Sequence, residues 1–520
     1  MNPIIPEKYQ DRVDYLLMIL VVLAAIIRFW QLDSECLWID EAWSYFVTQQ
    51  PWHLIPFMDV HPPVYYWLTK LWLSLPGIIP TEGTIRMVSA LAGVLTVPFV
   101  YMLGKRIGND FVGMIAAFLM AFSTFAIYYS QEARQYAVVT LFFCVFLLVY
   151  LDALERKNWK VWALAGTLAA LCMYTHWFTF FAVGATVFHA MYFSRKELAN
   201  VFIYICTIFA LMLPAIPMLD KAIYTKVVLE GSNLLEGLHG LDIIVNTLTW
   251  AGQNIFLFGA VLFVLAGYGW LVTWNPKKDR DSISMLIAFL FVTHTVAMLL
   301  LAEYVVVFER YFMFLLPLFY VMVAVGLISL ITTVFTDRTT IATIIVIFIA
   351  VFGVMVFTYY DPVYKPDMRN TFDPIYPLTS DGDVHAITAN QGQFELIKFY
   401  YRPPVAFGHV DLVRFSSMRD LWNIMQEHPN QSMFVWVPPV EVPEGLTEAS
   451  RIDSFLKQYG TKEGEVHQGS VHYAIYRVPY MREPFVSPPP LQSDFDETMY
   501  FGLYKIPPPV PWPSEGVVEN

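Results

Sequence analysis

The chain has 520 residues, of which 57% are hydrophobic, 17% aromatic and only 15% charged, with a mean hydropathy of +0.50. Soluble domains average about 45–50% apolar and about 25% charged residues, so this composition excludes an ordinary soluble globular protein. The net charge of −12 is concentrated after Tyr360, where 21 acidic residues face 12 basic ones, and so acidic a tail excludes nucleic acid as its partner.

Apolar runs of about 20 residues, the length a membrane helix requires, recur along the chain. Hydropathy predicts about eleven spans: 15–31, 84–103, 111–128, 137–154, 160–175, 177–193, 200–218, 252–273, 284–302, 311–333 and 339–358. With the N-terminus on the cytoplasmic side, the inner segments carry thirteen Lys and Arg and the outer loops ahead of the tail only six. The positive-inside rule therefore predicts that orientation, and an odd helix count places the tail outside. The first span runs into Trp30 and an acidic loop without a small-residue cleavage site, so it reads as a retained helix. Of the four cysteines only Cys36 faces outward, which excludes an intrachain disulfide in the exported part.

The expected architecture is an α-helical polytopic membrane protein with a C-terminal extracytoplasmic α/β domain. The membrane body is residues 1–358, with a first outer loop over 32–86. A small domain over 361–485 follows, and a proline-rich extended tail over 486–520. In the small domain Val384–Thr388, Glu395–Tyr400, Met433–Val437 and His472–Val478 read as strands, and Ser417–His428 and Leu446–Tyr459 as helices. Tyr400, Tyr401, Trp422 and Trp436 would either stack on sugar rings or form the core of this domain.

The first outer loop carries the chemistry. Its aromatic residues, Trp38, Trp43, Phe46, Trp52, Phe57 and Trp67 among them, suit short helices at the headgroup level. Asp40 and Glu41 form an adjacent carboxylate pair beside the bilayer, where ionisation is costly and a base is readily tuned. The competing reading is that both cap a juxtamembrane helix. Asp59-Val60-His61-Pro62-Pro63 follows on the same loop, and the two prolines fix an extended turn that projects Asp59 and His61 to one side. Asp40, Glu41, Asp59 and His61 together offer oxygen and nitrogen donors that suit a divalent ion.

These residues resemble a family. Asp-Glu after the first span, then Asp-Val-His-Pro-Pro, is similar to the dolichyl-phosphate-mannose protein mannosyltransferases and their bacterial relatives, the aminoarabinose lipid A transferases among them. All are polytopic glycosyltransferases of the GT-C fold. The resemblance continues in Arg86-Met87-Val88-Ser89, in Tyr128-Tyr129-Ser130-Gln131-Glu132-Ala133-Arg134-Gln135-Tyr136, in Tyr174-Thr175-His176-Trp177 and in Glu309-Arg310-Tyr311. It covers the membrane body and hardly touches the tail. Val64-Tyr65-Tyr66-Trp67 after the double proline departs from the Leu-Gly-Lys of the eukaryotic members, which points to the bacterial and archaeal branch.

The resemblance implies transfer of a sugar from a polyprenyl-phosphate donor to an acceptor hydroxyl on protein, lipid or cell-envelope glycan, with inversion. It makes Asp40 the catalytic base and Glu41 a positioning carboxylate. Arg134 becomes the first choice for the donor phosphate, with Arg310 and Arg86 behind it. Asp59, His61, Gln131, Glu132 and His176 would contact sugar or acceptor, or shape the site. It implies no required cofactor, although related oligosaccharyltransferases use a divalent metal. The partners expected are the lipid-linked donor, the acceptor and the bilayer, in a plasma membrane. A lipid-linked-sugar flippase or a glycan ligase is the rival class. A flippase should show inverted repeats and charges at span centres, and the sequence shows neither.

Overall fold

The computed structural model describes residues 10–225, 240–274, 281–305, 307–360, 365, 368, 383–388, 391–401, 411–415, 418–428, 433–437, 456, 461–468 and 471–478. Contacts divide the chain into two units. One holds residues 1–370 with Gln391–Tyr400 and Gln468–Ser470, and the other holds the rest of the C-terminal region. The expected tail over 486–520 lies outside the described residues, as does nearly all of the expected helix Leu446–Tyr459.

The first unit is a helical membrane body. It opens with α1 (Gln10–Phe29), α2 (Ile39–Gln49), α3 (Ile55–Met58), α4 (Val64–Leu73), α5 (Glu82–Ile107), α6 (Asp110–Phe122), α7 (Thr124–Ser130) and α8 (Tyr136–Arg156). Among the described residues six helices are long and apolar enough to cross a bilayer, and α6 with α7 makes a seventh if that bent pair is one span. Each of the eleven expected spans falls on helical structure, but not all reach spanning length. Trp159–Met173 and Thr179–Phe193 have 15 residues each and Arg338–Val354 has 17. α1 carries Arg12 and Asp14 in its first turns and Arg28 in its last. Hydropathy alone does not separate a full span from a shorter apolar helix held inside a bundle.

Close helix crossings follow from small residues, as expected where packing rather than water drives association. A Cβ on Gly104 of α5 would sit 2.6 Å from Gly113 Cα of α6, so glycine alone permits that crossing. The 57° break between α6 and α7 also has a cause. Ser123 leaves the helical region and its Oγ accepts from Ala126 N–H, while Gln253 accepts from Thr124 N–H at 2.6 Å and donates to Phe122 O at 2.8 Å. Backbone groups freed inside a membrane need such partners. Arg28, fully buried at the end of α1, donates to Met120 O and Ala121 O at 2.9 Å and satisfies the end of α6 in the same way. The sequence reading passed over this arginine.

The first loop folds as expected into short helices. Pro62 and Pro63 stop the chain before α4, and Val64 N–H donates to Tyr174 O at 3.2 Å. Thr81 and Thr84 exchange side-chain and backbone bonds to start α5.

The second unit is built on a five-stranded mixed sheet of β1 (Val384–Thr388), β2 (Asp411–Phe415), β3 (Met433–Val437), β4 (Thr461–Gln468) and β5 (Val471–Val478). The order is β2-β1-β3-β5-β4, with β1 parallel to β2 and β3, and β3 antiparallel to β5. Expected strand Glu395–Tyr400 is instead the end of a helix, Gln391–Tyr400, whose contacts belong to the membrane body. Its buried residues Phe394 and Ile397 lie three apart, and Leu396 and Tyr400 four apart, a helical spacing the short alternating pattern concealed. Tyr401 and Trp436 are core: Trp436 Nε1 donates to buried His385 Nδ1 at 3.1 Å. Burial pushes that imidazole down to about 3, which keeps it neutral. Tyr400 is buried in the first unit, where its hydroxyl takes a hydrogen bond from Leu37 N–H and donates to Glu82. These three side chains are therefore not free stacking platforms for sugar. The side chain of Trp422 lies outside the described ones.

Candidate functional site

Asp40 and Glu41 sit together in the first turn of α2 but face different surroundings. Glu41 is sealed from solvent. Arg86 Nε donates to its Oε1 at 2.7 Å and Arg86 Nη2 to its Oε2 at 2.8 Å, a bidentate clamp. Lys365 Nζ adds 2.9 Å and Ala133 N–H 2.8 Å. Burial pushes this carboxyl up, but the charges of Arg86 and Lys365 outweigh it and hold the pKa at about 2. Arg86 also donates to Leu32 O, Glu35 O and Cys36 O, so all five of its N–H groups are engaged inside the protein. This geometry corrects two expectations. Arg86 has no donor left for a phosphate, and Glu41 has no lone pair facing a substrate. Together they lock the start of α2.

Asp40 is what this lock positions. Its side chain is one-third exposed, and its Oδ2 lies 3.9 Å from Arg134 Nη2. Arg134 is nearly fully buried. Its Nη1 donates to Ser44 Oγ at 3.1 Å and Asp40 O at 3.3 Å, and its Nη2 lies 3.3 Å from His61 Nε2. Its Nε has no partner among the described residues. The loop that carries it is fixed by Ser89 Oγ, which donates to Arg134 O at 2.9 Å.

The Asp-Val-His turn converges on the same arginine. His61 Nδ1 lies 3.2 Å from Asp59 Oδ2, and the Tyr66 hydroxyl donates to that same oxygen. Burial raises the Asp59 pKa, yet His61 and Arg134 more than offset it and hold the carboxyl well below the usual range. Asp59 thus orients His61 while remaining ionised. Trp177 Nε1 donates to Val60 O at 2.9 Å, which ties the turn to the His176 loop. The His176 ring is 6.4 Å from that of His61 and 5.3 Å from that of Tyr311. Burial keeps His176 neutral and its Nδ1 has no partner among the described residues.

Gln131 does something else. Its amide donates to Trp30 O at 2.8 Å and Arg28 O at 3.2 Å, and it accepts from the Tyr359 hydroxyl at 2.9 Å. It caps the end of α1, so its site-shaping part is to anchor the loop. Glu132 is buried with neither carboxyl oxygen partnered among the described residues. Arg310 lies over Phe308 at 4.0 Å and Tyr136 at 5.7 Å, and its Nε is likewise unpartnered. Of the ten residues singled out in the sequence, the structure gathers Asp40, Arg134, Asp59 and His61 in direct contact. Around them it places His176, Glu132 and Arg310. Lys365, Tyr66 and Ser44 were missed. Lys365 is 324 positions from Glu41, and no local pattern flags a lone lysine there. Among the described residues, no three of His, Cys, Asp and Glu converge on a metal site.

An apolar cavity of about 710 Å³ opens beside this cluster. His61, His176, Val60 and Tyr311 line its polar end, and Phe181, Ile208, Met212, Leu213 and Leu219 line its apolar remainder. A mostly apolar pocket with a few convergent polar groups is the usual form of a ligand site.

Residues 60–219 match the profile of the dolichyl-phosphate-mannose-protein mannosyltransferases. Among solved structures, the chain is similar to ArnT from Cupriavidus metallidurans bound to undecaprenyl phosphate, with 10% identity and a TM-score of 0.55 over 88% of this chain and 97% of that one. The membrane body has the GT-C glycosyltransferase fold. The apo oligosaccharyltransferase of Archaeoglobus fulgidus is similar too, with 12% identity and a TM-score of 0.53 over 83% of this chain and 70% of that one. The oligosaccharyltransferase AglB of the same organism, in complex with an inhibitory peptide and a dolichol-phosphate, gives 12% identity and a TM-score of 0.50 over 81% and 69%. No curated protein matches the chain in a sequence comparison. This GT-C body carries its Asp40–Arg134–His61 cluster on the loops at one end of the helices.

Proposed function

We propose that the protein is an inverting glycosyltransferase that moves a sugar from a polyprenyl-phosphate donor to an acceptor hydroxyl at the extracytoplasmic face of the plasma membrane. One observation carries the reading. The apolar cavity, large enough for several isoprene units, ends on His61, beside Arg134 and Asp40. A lipid phosphate whose tail lies in the cavity brings its oxygens toward Arg134 and its anomeric carbon toward Asp40. The match to a mannosyltransferase profile and the fold shared with ArnT and AglB support the same reaction class. The lipid phosphates named in those relatives' structures support the donor class.

Asp40 is the base. Its partial exposure leaves it reachable by an acceptor, and Glu41 behind it holds α2 in place. Arg134 and Arg310 take the phosphate, whose departure leaves charge that a guanidinium stabilises in a water-poor site. His61, fixed by Asp59, lies at the join of tail and headgroup. The reaction needs no metal in this reading: Glu41 is matched by Arg86 and Lys365, Asp59 by His61, and Asp40 by Arg134. Activity should persist in excess chelator. The positive-inside asymmetry supports an extracytoplasmic placement of this cluster.

The test is transfer by purified protein in nanodiscs from a panel of polyprenyl-phosphate monosaccharides. Release of polyprenyl phosphate from one donor supports the reading. Failure with every donor, in the presence of protein, lipid and glycan acceptors, would contradict it.

A further inference from the structure

Glu132 stands apart from every other acid of the site. Both of its carboxyl oxygens are buried without a hydrogen-bond partner among the described residues, although it is only 1% exposed. Buried polar groups are normally satisfied, so such a pair calls for a ligand or a chemical role. Its position is not adventitious. The loop is pinned on each side of it, by Gln131 on the end of α1 and by Ala133 N–H on Glu41, next to Asp40. The fields of Lys365 and Arg310 act on it most strongly, followed by Glu41 and Arg134. Tyr128 and Tyr129 of α7 and Tyr136 of α8 also lie within its electrostatic reach.

The charges of this cluster bear on the proposed reaction. A polyprenyl-phosphate sugar is a phosphodiester with one negative charge, and cleavage of its anomeric C–O bond leaves a phosphate able to carry two. Lys365 is already paired with Glu41, and Arg134 faces Asp40 and Asp59. Within the cluster Arg310 alone has no carboxylate within ion-pair distance among the described residues. Of the two arginines placed on the phosphate, Arg310 alone brings a charge that no carboxylate already offsets, so the cluster matches a singly charged product, and that product requires a proton.

We propose that Glu132 is the general acid of the transfer and delivers that proton to the departing phosphate. The inference rests on the glycosyltransferase reading given above. The bond from the anomeric carbon to the phosphate oxygen breaks, and its electron pair stays on that oxygen. The acceptor oxygen forms the new bond to the anomeric carbon, and its proton passes to Asp40. The Glu132 carboxyl proton goes to the phosphate, which leaves as the monoanion. Asp40 ends protonated and Glu132 ionised, and exchange with water restores both. Burial pushes the Glu132 carboxyl up to about 7, only partly opposed by the nearby cations, so the acid is present at neutral pH.

The experiment is the pH–rate profile of single-turnover transfer between about pH 5.5 and 8.5 with the donor found in the panel. It compares wild type, Glu132→Gln and Glu132→Asp, and measures the binding of polyprenyl phosphate to each. Wild type should lose rate above about pH 7 with the slope of one proton. Glu132→Gln should fall about 10²-fold or more in rate, lose that alkaline limb and keep its affinity for polyprenyl phosphate. Glu132→Asp should keep the limb at a shifted midpoint, and it carries the test if the Gln variant does not fold. A Gln variant that turns over like wild type, or one that is slow but retains the alkaline limb, overturns the acid role and leaves the glycosyltransferase reading standing. If wild type transfers sugar from no donor, that reading fails and the acid role falls with it.

Discussion

Arg86 closes on Glu41 at 2.7 Å, with both side chains sealed from solvent, while the adjacent Asp40 stays one-third exposed and 3.9 Å from Arg134. Neighbouring carboxylates therefore divide the work: one fixes the start of α2, the other is presented to substrate. Removing one member of a buried pair leaves an uncompensated charge and typically costs about 3–5 kcal/mol. Arg86→Ala should lower the thermal midpoint in detergent sharply, and Asp40→Asn should hardly move it. Equal midpoints for the two variants would contradict this division.

The same clamp makes stability depend on acid. Glu41 has its pKa depressed from the ordinary 4.5 to about 2, so it contributes stability that is fully present above pH 4.5 and lost as pH falls through 2. Unfolding measured between pH 5 and 2 should show wild type losing stability over that window. Glu41→Gln, already destabilised, should show a shallower loss there.

Arg134 presents a fork to Ser44, Asp40 and His61 that lysine cannot reproduce. Charge-assisted hydrogen bonds of this kind contribute about 1.5–3 kcal/mol, or roughly 10- to 150-fold. Arg134→Lys should weaken polyprenyl-phosphate binding and slow turnover within that range, as read by calorimetry and single-turnover rates. A variant that binds and turns over normally would make Arg134 structural.

The cavity predicts a different split. Ile208 lines its apolar part, well removed in the chain from the charged loop residues. Ile208→Trp should raise the donor KM several-fold for long polyprenyl chains and much less for a short-chain donor. Equal effects on both donors would argue against a tail in this cavity.

Much of this was legible in the sequence because membrane helices announce themselves by composition and because Asp40, His61 and Arg134 belong to compact local motifs. Their convergence was not legible, since His61 and Arg134 are 73 positions apart. The partner of Arg86 was hidden for the same reason: a conspicuous arginine next to a conspicuous glutamate pattern reads as chemistry until the distances show an internal clamp. Lys365 and Arg28 escaped because a single cation has no period. Glu395–Tyr400 was misread because six residues contain too little of either period to separate strand from helix.

The most direct test of the central claim is single-turnover transfer by wild type and Asp40→Asn with the same polyprenyl-phosphate donor, alongside binding of undecaprenyl phosphate to each. The account predicts that the variant binds the lipid phosphate with unchanged affinity and releases product at least about 10²-fold more slowly. Turnover equal to wild type in Asp40→Asn would contradict Asp40 as the base and with it the proposed chemistry of the site.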